Sequence, residues 1–165
     1  MAAAPLMIPP PNAAAFVSAA GWDGAAIEPL AGDASFRRYF RVVAPGRSAV
    51  LMDAPPQHED SRPFLTVASH LHALGFAAPR VLAKDLDAGL ILLEDFGDRR
   101  MKEVIEADPA RETAIYAAAI DLLRDLHRHS AGSLPPYDMA VYGREAGLFS
   151  DWYMPAVGLA GAPGY

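Results

Sequence analysis

The sequence predicts an α+β fold, a small antiparallel sheet of order β-β-β-α-β-β followed by helices. Three observations carry this expectation. Aromatic and β-branched residues alternate between about residues 27 and 52, broken by a Pro45-Gly46 turn. Apolar positions then switch to helical spacing between Ser61 and Leu74, and two short apolar runs follow. After Gly97 the helical period is sustained.

Taken in order, Asn12 to Gly21 opens with a capping residue and closes with a glycine, which predicts a short helix burying Phe16 and Val17. The Ala/Pro-rich residues before it read as a lead-in. Strands are expected at Ile27 to Leu30, at Arg37 to Val43 and at Ser48 to Met52, forming an antiparallel meander. Phe64, Val67, Ala68, Leu71 and Leu74 fall on one face of a helix that Gly75 can close. Strands resume at Arg80 to Lys84 and Gly89 to Glu94. Asp108-Pro109 then reads as an N-cap followed by proline at the first helical position, opening a helix of about 30 Å that runs to about His129. Tyr142 to Val157 forms a last amphipathic stretch. The expected division is a lead-in and helix over 1–25, a sheet lobe over 26–95, and a connector with the start of a helical lobe over 96–165.

Composition narrows the function classes. The chain of 165 residues has room for one ordinary domain, and 52% hydrophobic residues suffice for a core. The net charge of −6 disfavours nucleic acid as a partner. Zero cysteines exclude disulfides, thiolate metal sites and a cysteine nucleophile. No apolar run approaches the ~18 residues of a membrane span, and no basic segment precedes the proline cluster at residues 9–11. The expected compartment is the cytoplasm, with no membrane association.

Four segments could carry chemistry. Gly32, Asp33, Ala34, Ser35 and Phe36 form a loop between strands, followed by Arg37, Arg38 and Arg41. Small residues let backbone N–H groups approach an anion, and guanidinium groups add charge-assisted bonds to phosphate oxygens. Spacing alone favours a hairpin turn with a solvated basic strand, because one glycine is a weak phosphate-loop signal. A Walker loop is excluded, because the chain has no Gly-Lys-Ser/Thr and no lysine before Lys84.

Glu94, Asp95 and Phe96 lie where sheet gives way to helix, an extended connector whose backbone can bond a flat base; a charged strand end capping the next helix is the alternative. The letters Asp95-Phe96-Gly97 match a kinase metal-binding string without the upstream catalytic loop, and read as a coincidence. Asp151 and Trp152 set an acid beside an aromatic, a pairing suited to sugar binding, or to a helix core with a solvated acid. His70 and His72, like His127 and His129, stand two apart and face different ways on a helix, so no metal site is expected from them.

Together the strings Leu30 to Val42, Val50-Leu-Met-Asp-Ala-Pro-Pro56, Ala78 to Leu82, Leu92 to Asp98, Leu123 to His127 and Phe149 to Tyr153 resemble the aminoglycoside phosphotransferase-like kinases. Within them the chain is similar to the bacterial kinases that phosphorylate amino sugars such as N-acetylmuramate and N-acetylglucosamine in cell-wall recycling. The resemblance implies a protein-kinase-like fold, with a sheet N-lobe, a hinge and a helical C-lobe. It implies ATP and Mg2+ as cofactors and a small sugar as acceptor. Gly32 to Phe36 then match the nucleotide loop, Glu94 to Phe96 the adenine hinge, and Asp151 and Trp152 the acceptor side.

Two departures stand out. The family's strand-three lysine is Met52 here, so Arg37 or Arg38 is expected to grip phosphate instead. The family's catalytic loop and later metal-binding aspartate fall after the long helix and find no match before Tyr165, so no catalytic residue is assigned and no transfer is expected from these 165 residues alone. Two other readings stay open: a non-catalytic nucleotide-binding or interaction module, whose exposed Leu148, Phe149 and Trp152 would drive oligomers, and a kinase for another acceptor such as an aminoglycoside or choline.

Overall fold

The structure is a computed structural model that describes residues 7–30 and 36–159. It falls into two units, divided between Ser130 and Ala131. The first holds five strands in one antiparallel sheet: β1 (Ala26–Pro29), β2 (Arg38–Ala44), β3 (Arg47–Asp53), β4 (Val81–Asp85) and β5 (Leu90–Glu94). Their spatial order is β1-β2-β3-β5-β4. The expected meander is present, with Gly46 at φ 74° in the tight β2–β3 turn. β5 inserts beside β3, so the last strand in sequence is interior in space. Its composition fits the placement: Leu90, Ile91, Leu92 and Leu93 are all buried, apolar on both faces as suits a strand covered on both.

Alternation along the strands divides the core in two. On one face Phe40, Val42, Ala49, Leu51, Leu90 and Leu92 pack with Ala13, Val17 and Trp22 from α1 (Ala13–Ala19) and the turn after it. On the other, Met52, Ile91 and Leu93 pack with Ala54, Tyr39, Val50, and Phe64 and Leu65 of α2 (Arg62–Ala73). The helix ahead of the sheet therefore shares the sheet's core. Arg47 fastens it further, its guanidinium 4.0 Å from the Trp22 ring centroid and donating to the Gly21 carbonyl at 2.5 Å.

Two local expectations are corrected. Asn12 occupies the N-cap position of α1 with helical dihedrals, and its side chain makes no capping bond. The single long helix from Asp108 to His129 is instead a 3₁₀ turn, Pro109–Arg111, leading into the 15-residue α4 (Glu112–Leu126), about 22 Å long at ~1.5 Å per residue. A separate α3 (Met101–Ala107) precedes it. The break falls at Asp108, whose extended backbone (φ −146°, ψ 88°) stops α3 and whose carboxylate caps Ala110 N–H at 3.2 Å. Tyr116, Ile120, Leu122 and Leu123 of α4 are more than half exposed.

The second unit carries α5 (Met139–Leu148), a π-helical turn Phe149–Tyr153, and α6 (Met154–Ala156). Asp138 caps α5, accepting from Ala140 and Val141 N–H at 3.0 and 3.1 Å. No described helix is long and apolar enough to cross a membrane.

Candidate functional site

The α2 face of the sheet is not fully covered, and the uncovered part is a cavity of about 550 Å³, within the range of small-molecule sites. Its floor is built by period-two alternation: Tyr39 and Arg41 of β2, Val50 of β3 and Leu93 of β5 all project to this face. Leu30, just past β1, and Phe64 of α2 add apolar wall. Glu94, Asp95, Phe96, Gly97 and Asp98 form the rim. Glu94 is the last residue of the β5 ladders, so the backbone groups of the connector after it fall outside strand pairing. An apolar slot edged by backbone groups outside strand pairing suits a flat heterocycle, because stacking and directional hydrogen bonds then act on the same ligand.

The connector carries several ion pairs close together. Glu94 turns outward, its carboxylate accepting from Arg80 Nε and NH2, each at 3.1 Å, which holds its pKa below the usual carboxylate range. Asp95 turns inward against the sheet and accepts from the Gly97 N–H at 2.8 Å. Burial pushes its pKa up, but the Gly97 N–H, the Ser48 hydroxyl and the Arg41 guanidinium outweigh burial and hold it low. Asp98 is also held low, chiefly by hydrogen bonds from Arg41, whose own pKa rises in return. The Asp95-Phe96-Gly97 string thus works here as a turn: the aspartate ties the connector to the strands, and Gly97 at φ 74° completes the bend.

The sequence-predicted residues separate on this frame. Glu94, Asp95 and Phe96 all lie at the cavity rim. Gly32, Asp33, Ala34 and Ser35 lie outside the described residues. Phe36 stacks on His58, ring centroids 4.7 Å apart, and Arg37 pairs with Glu59 at 3.2 Å, so the entry to β2 meets the segment ahead of α2. Arg38 points the other way. It alternates with Phe40 and Val42 onto the α1 face, where Nε donates to the buried Asp53 carboxylate at 2.8 Å and NH1 to the Ile8 carbonyl at 3.3 Å. Of the two arginines offered as stand-ins for the absent lysine, Arg38 is therefore on the far side of the sheet from the cavity, and only Arg37 remains.

Met52 itself is fully buried between Ile91 and Leu93, which seals the strand-three position against solvent. Asp151 and Trp152 sit in the π turn of the second unit, with Trp152 65% exposed. Among the described residues no group of three or more His, Asp or Glu is placed to hold a metal ion.

Sequence reasoning missed the rest of the cavity. Tyr39, Val50 and Leu93 read as ordinary strand residues, and Arg41 as one of three arginines. Their common face was nonetheless legible, because Tyr39 and Arg41 sit two apart on a strand whose other face is Phe40 and Val42.

The five-stranded antiparallel sheet, its connector and the helices after it fit the N-lobe of a protein-kinase-like fold. Residues 26–163 match the phosphotransferase enzyme family, and the chain belongs to it. Among curated proteins it is 44% identical over 140 residues to N-acetylmuramate/N-acetylglucosamine kinase of Pseudomonas aeruginosa, covering 82% of this chain and 41% of that protein. It is 36% identical over 128 residues to the kinase of the same name from Neisseria meningitidis, covering 75% and 38%, and 36% identical over 156 residues to that from Caulobacter vibrioides, covering 78% and 43%. The chain thus spans about two fifths of the length of the relatives it matches.

Proposed function

We propose that this chain is the ATP-binding part of a small-molecule kinase whose acceptor is an amino sugar of the N-acetylmuramate/N-acetylglucosamine type, acting in cell-wall recycling in the cytoplasm. The observation that carries the nucleotide reading is the cavity on the α2 face, with Tyr39, Val50 and Leu93 beneath and Glu94 to Phe96 along its rim. The adenine ring lies in this slot and bonds the connector backbone, while the loop Gly32 to Ser35 and Arg37 act at the phosphate end. The acceptor reading rests on the names of the relatives, with Asp151 and Trp152 on the acceptor side.

In the whole protein such a lobe contributes positioning and charge stabilisation, since phosphoryl transfer leaves little covalent work for side chains. Magnesium, when bound with the nucleotide, would supply charge neutralisation of the phosphates. The protein's own part is to orient the nucleotide through the connector and to bring a cation, Arg37 held by Glu59, toward its phosphates.

The test is calorimetric titration of ATP into the 165-residue chain and its Val50→Trp variant, which fills the cavity from a half-buried position. Saturable binding that the variant loses, with its thermal unfolding intact, supports the reading; undiminished binding by the variant contradicts it.

One observation favours a second reading, an interaction module. The apolar residues Tyr116, Ile120 and Leu123, at i, i+4 and i+7 of α4, are each more than half exposed on one helix face. Concentration-dependent self-association without any nucleotide binding would move that reading ahead.

A further inference from the structure

Arg41 stands on β2, separated from β5 by β3, yet its guanidinium ends on the connector that follows β5. Nε lies 2.9 Å from Asp95 Oδ2. NH1 and NH2 donate to the two oxygens of Asp98 at 2.9 and 2.8 Å, a bidentate fork. Asp95 is almost completely buried and Asp98 almost completely exposed, so one cation spans the connector from its sheet side to its solvent side. The Asp95 carboxylate passes the constraint on: it also accepts from the Gly97 N–H at 2.8 Å, folding residues 95–97 into a turn. Arg41, Asp95, Gly97 and Asp98 all line the cavity.

We propose that Arg41 is a positioning residue for the nucleobase: it clasps the 95–98 turn against the sheet and so fixes the height at which the connector backbone meets the ring. This rests on the reading that the cavity holds a nucleotide. The clasp acts at the base end, whereas a phosphate-binding arginine acts at the other, and the two roles separate by ligand. Loss of the clasp weakens adenosine, ADP and ATP by the same factor. A phosphate-binding role weakens ATP most and adenosine not at all. Lysine in its place recovers only part of the effect, because an ammonium is a point charge that cannot hold a carboxylate bidentately. A simple charge role, in which Arg41 only neutralises two carboxylates near an anionic ligand, is relieved when one of those carboxylates is removed.

The experiment measures binding of adenosine, ADP and ATP to the 165-residue chain and its Arg41→Ala, Arg41→Lys, Asp98→Ala and Arg41→Ala/Asp98→Asn variants, at physiological ionic strength. Amide hydrogen exchange of the unliganded proteins is followed over residues 95–98. The expected result is a loss of about tenfold for all three ligands in Arg41→Ala, the scale of a charge-assisted hydrogen-bonding group. A smaller loss of the same pattern is expected in Asp98→Ala, with partial recovery in Arg41→Lys, no recovery in the double variant, and faster exchange at 95–98. Asp98→Ala keeps the test open if Arg41→Ala does not fold, because Asp98 is exposed. Unchanged affinity in Arg41→Ala, a loss confined to ATP, or rescue by the double variant overturns the proposal. Failure of the unaltered chain to bind any of the three overturns the nucleotide reading instead, and the exchange result still reports whether the clasp orders the turn.

Discussion

Gly89 and Asp95 show how much single positions decide. Gly89 opens β5 at φ 72°, and a Cβ built there would sit 2.3 Å from the Ala54 carbonyl oxygen, which belongs to rigid backbone. The approach is close because Ala54 N–H donates to the Gly89 carbonyl at 2.8 Å, closing the β3–β5 pairing. Gly89→Ala therefore combines a clash with a strained dihedral and is expected to destabilise the fold by more than about 2 kcal/mol, checked by urea unfolding. Asp95 makes a prediction in pH. Its folded pKa lies below the ordinary value, so its contribution is present above the unfolded pKa of about 4 and is lost as pH falls through the folded pKa. The melting temperature of the unaltered chain should fall more steeply on acidification below pH ~4 than that of Asp95→Asn, and parallel curves would show that Asp95 contributes no linkage.

Among the elements, α1 does more than a lead-in would. It carries Ala13 and Val17 into the core that covers Phe40, Leu51 and Leu92, so without it the sheet's second face would stand open to water. Val17→Ala removes two buried methyl groups and is expected to cost about 2 kcal/mol in chemical denaturation, an effect a solvated lead-in helix would not show. Strand and helix positions were legible because their signals are local: alternation in β2 and β3, helical spacing in α2, and Pro-Gly at the turn. Strand order was not written in those signals. It is set by where β5 finds buried neighbours, a long-range outcome of which Leu90 to Leu93 give only a hint. The start at Asp108 was legible as an N-cap followed by proline, whereas the 3₁₀ geometry of the first turn was not, because both helix types open with the same residues.

Across the whole molecule, the candidate site was legible in part for the same reason. Glu94 to Phe96 were found because a change from strand to helical period marks the connector directly. Arg41 was not, since its contacts reach across β3 to residues 54 and 57 positions away in sequence. Arg37 and Arg38 were not separable from composition, since one step along a strand sends a side chain to the other face, which is where Arg38 meets Asp53. Hydrogen exchange with and without ATP reads whether a nucleotide occupies the cavity on the α2 face. Protection on binding at residues 93–98 and 50 is the predicted result. Protection confined to residues 139–156, with 93–98 unaffected, would contradict it.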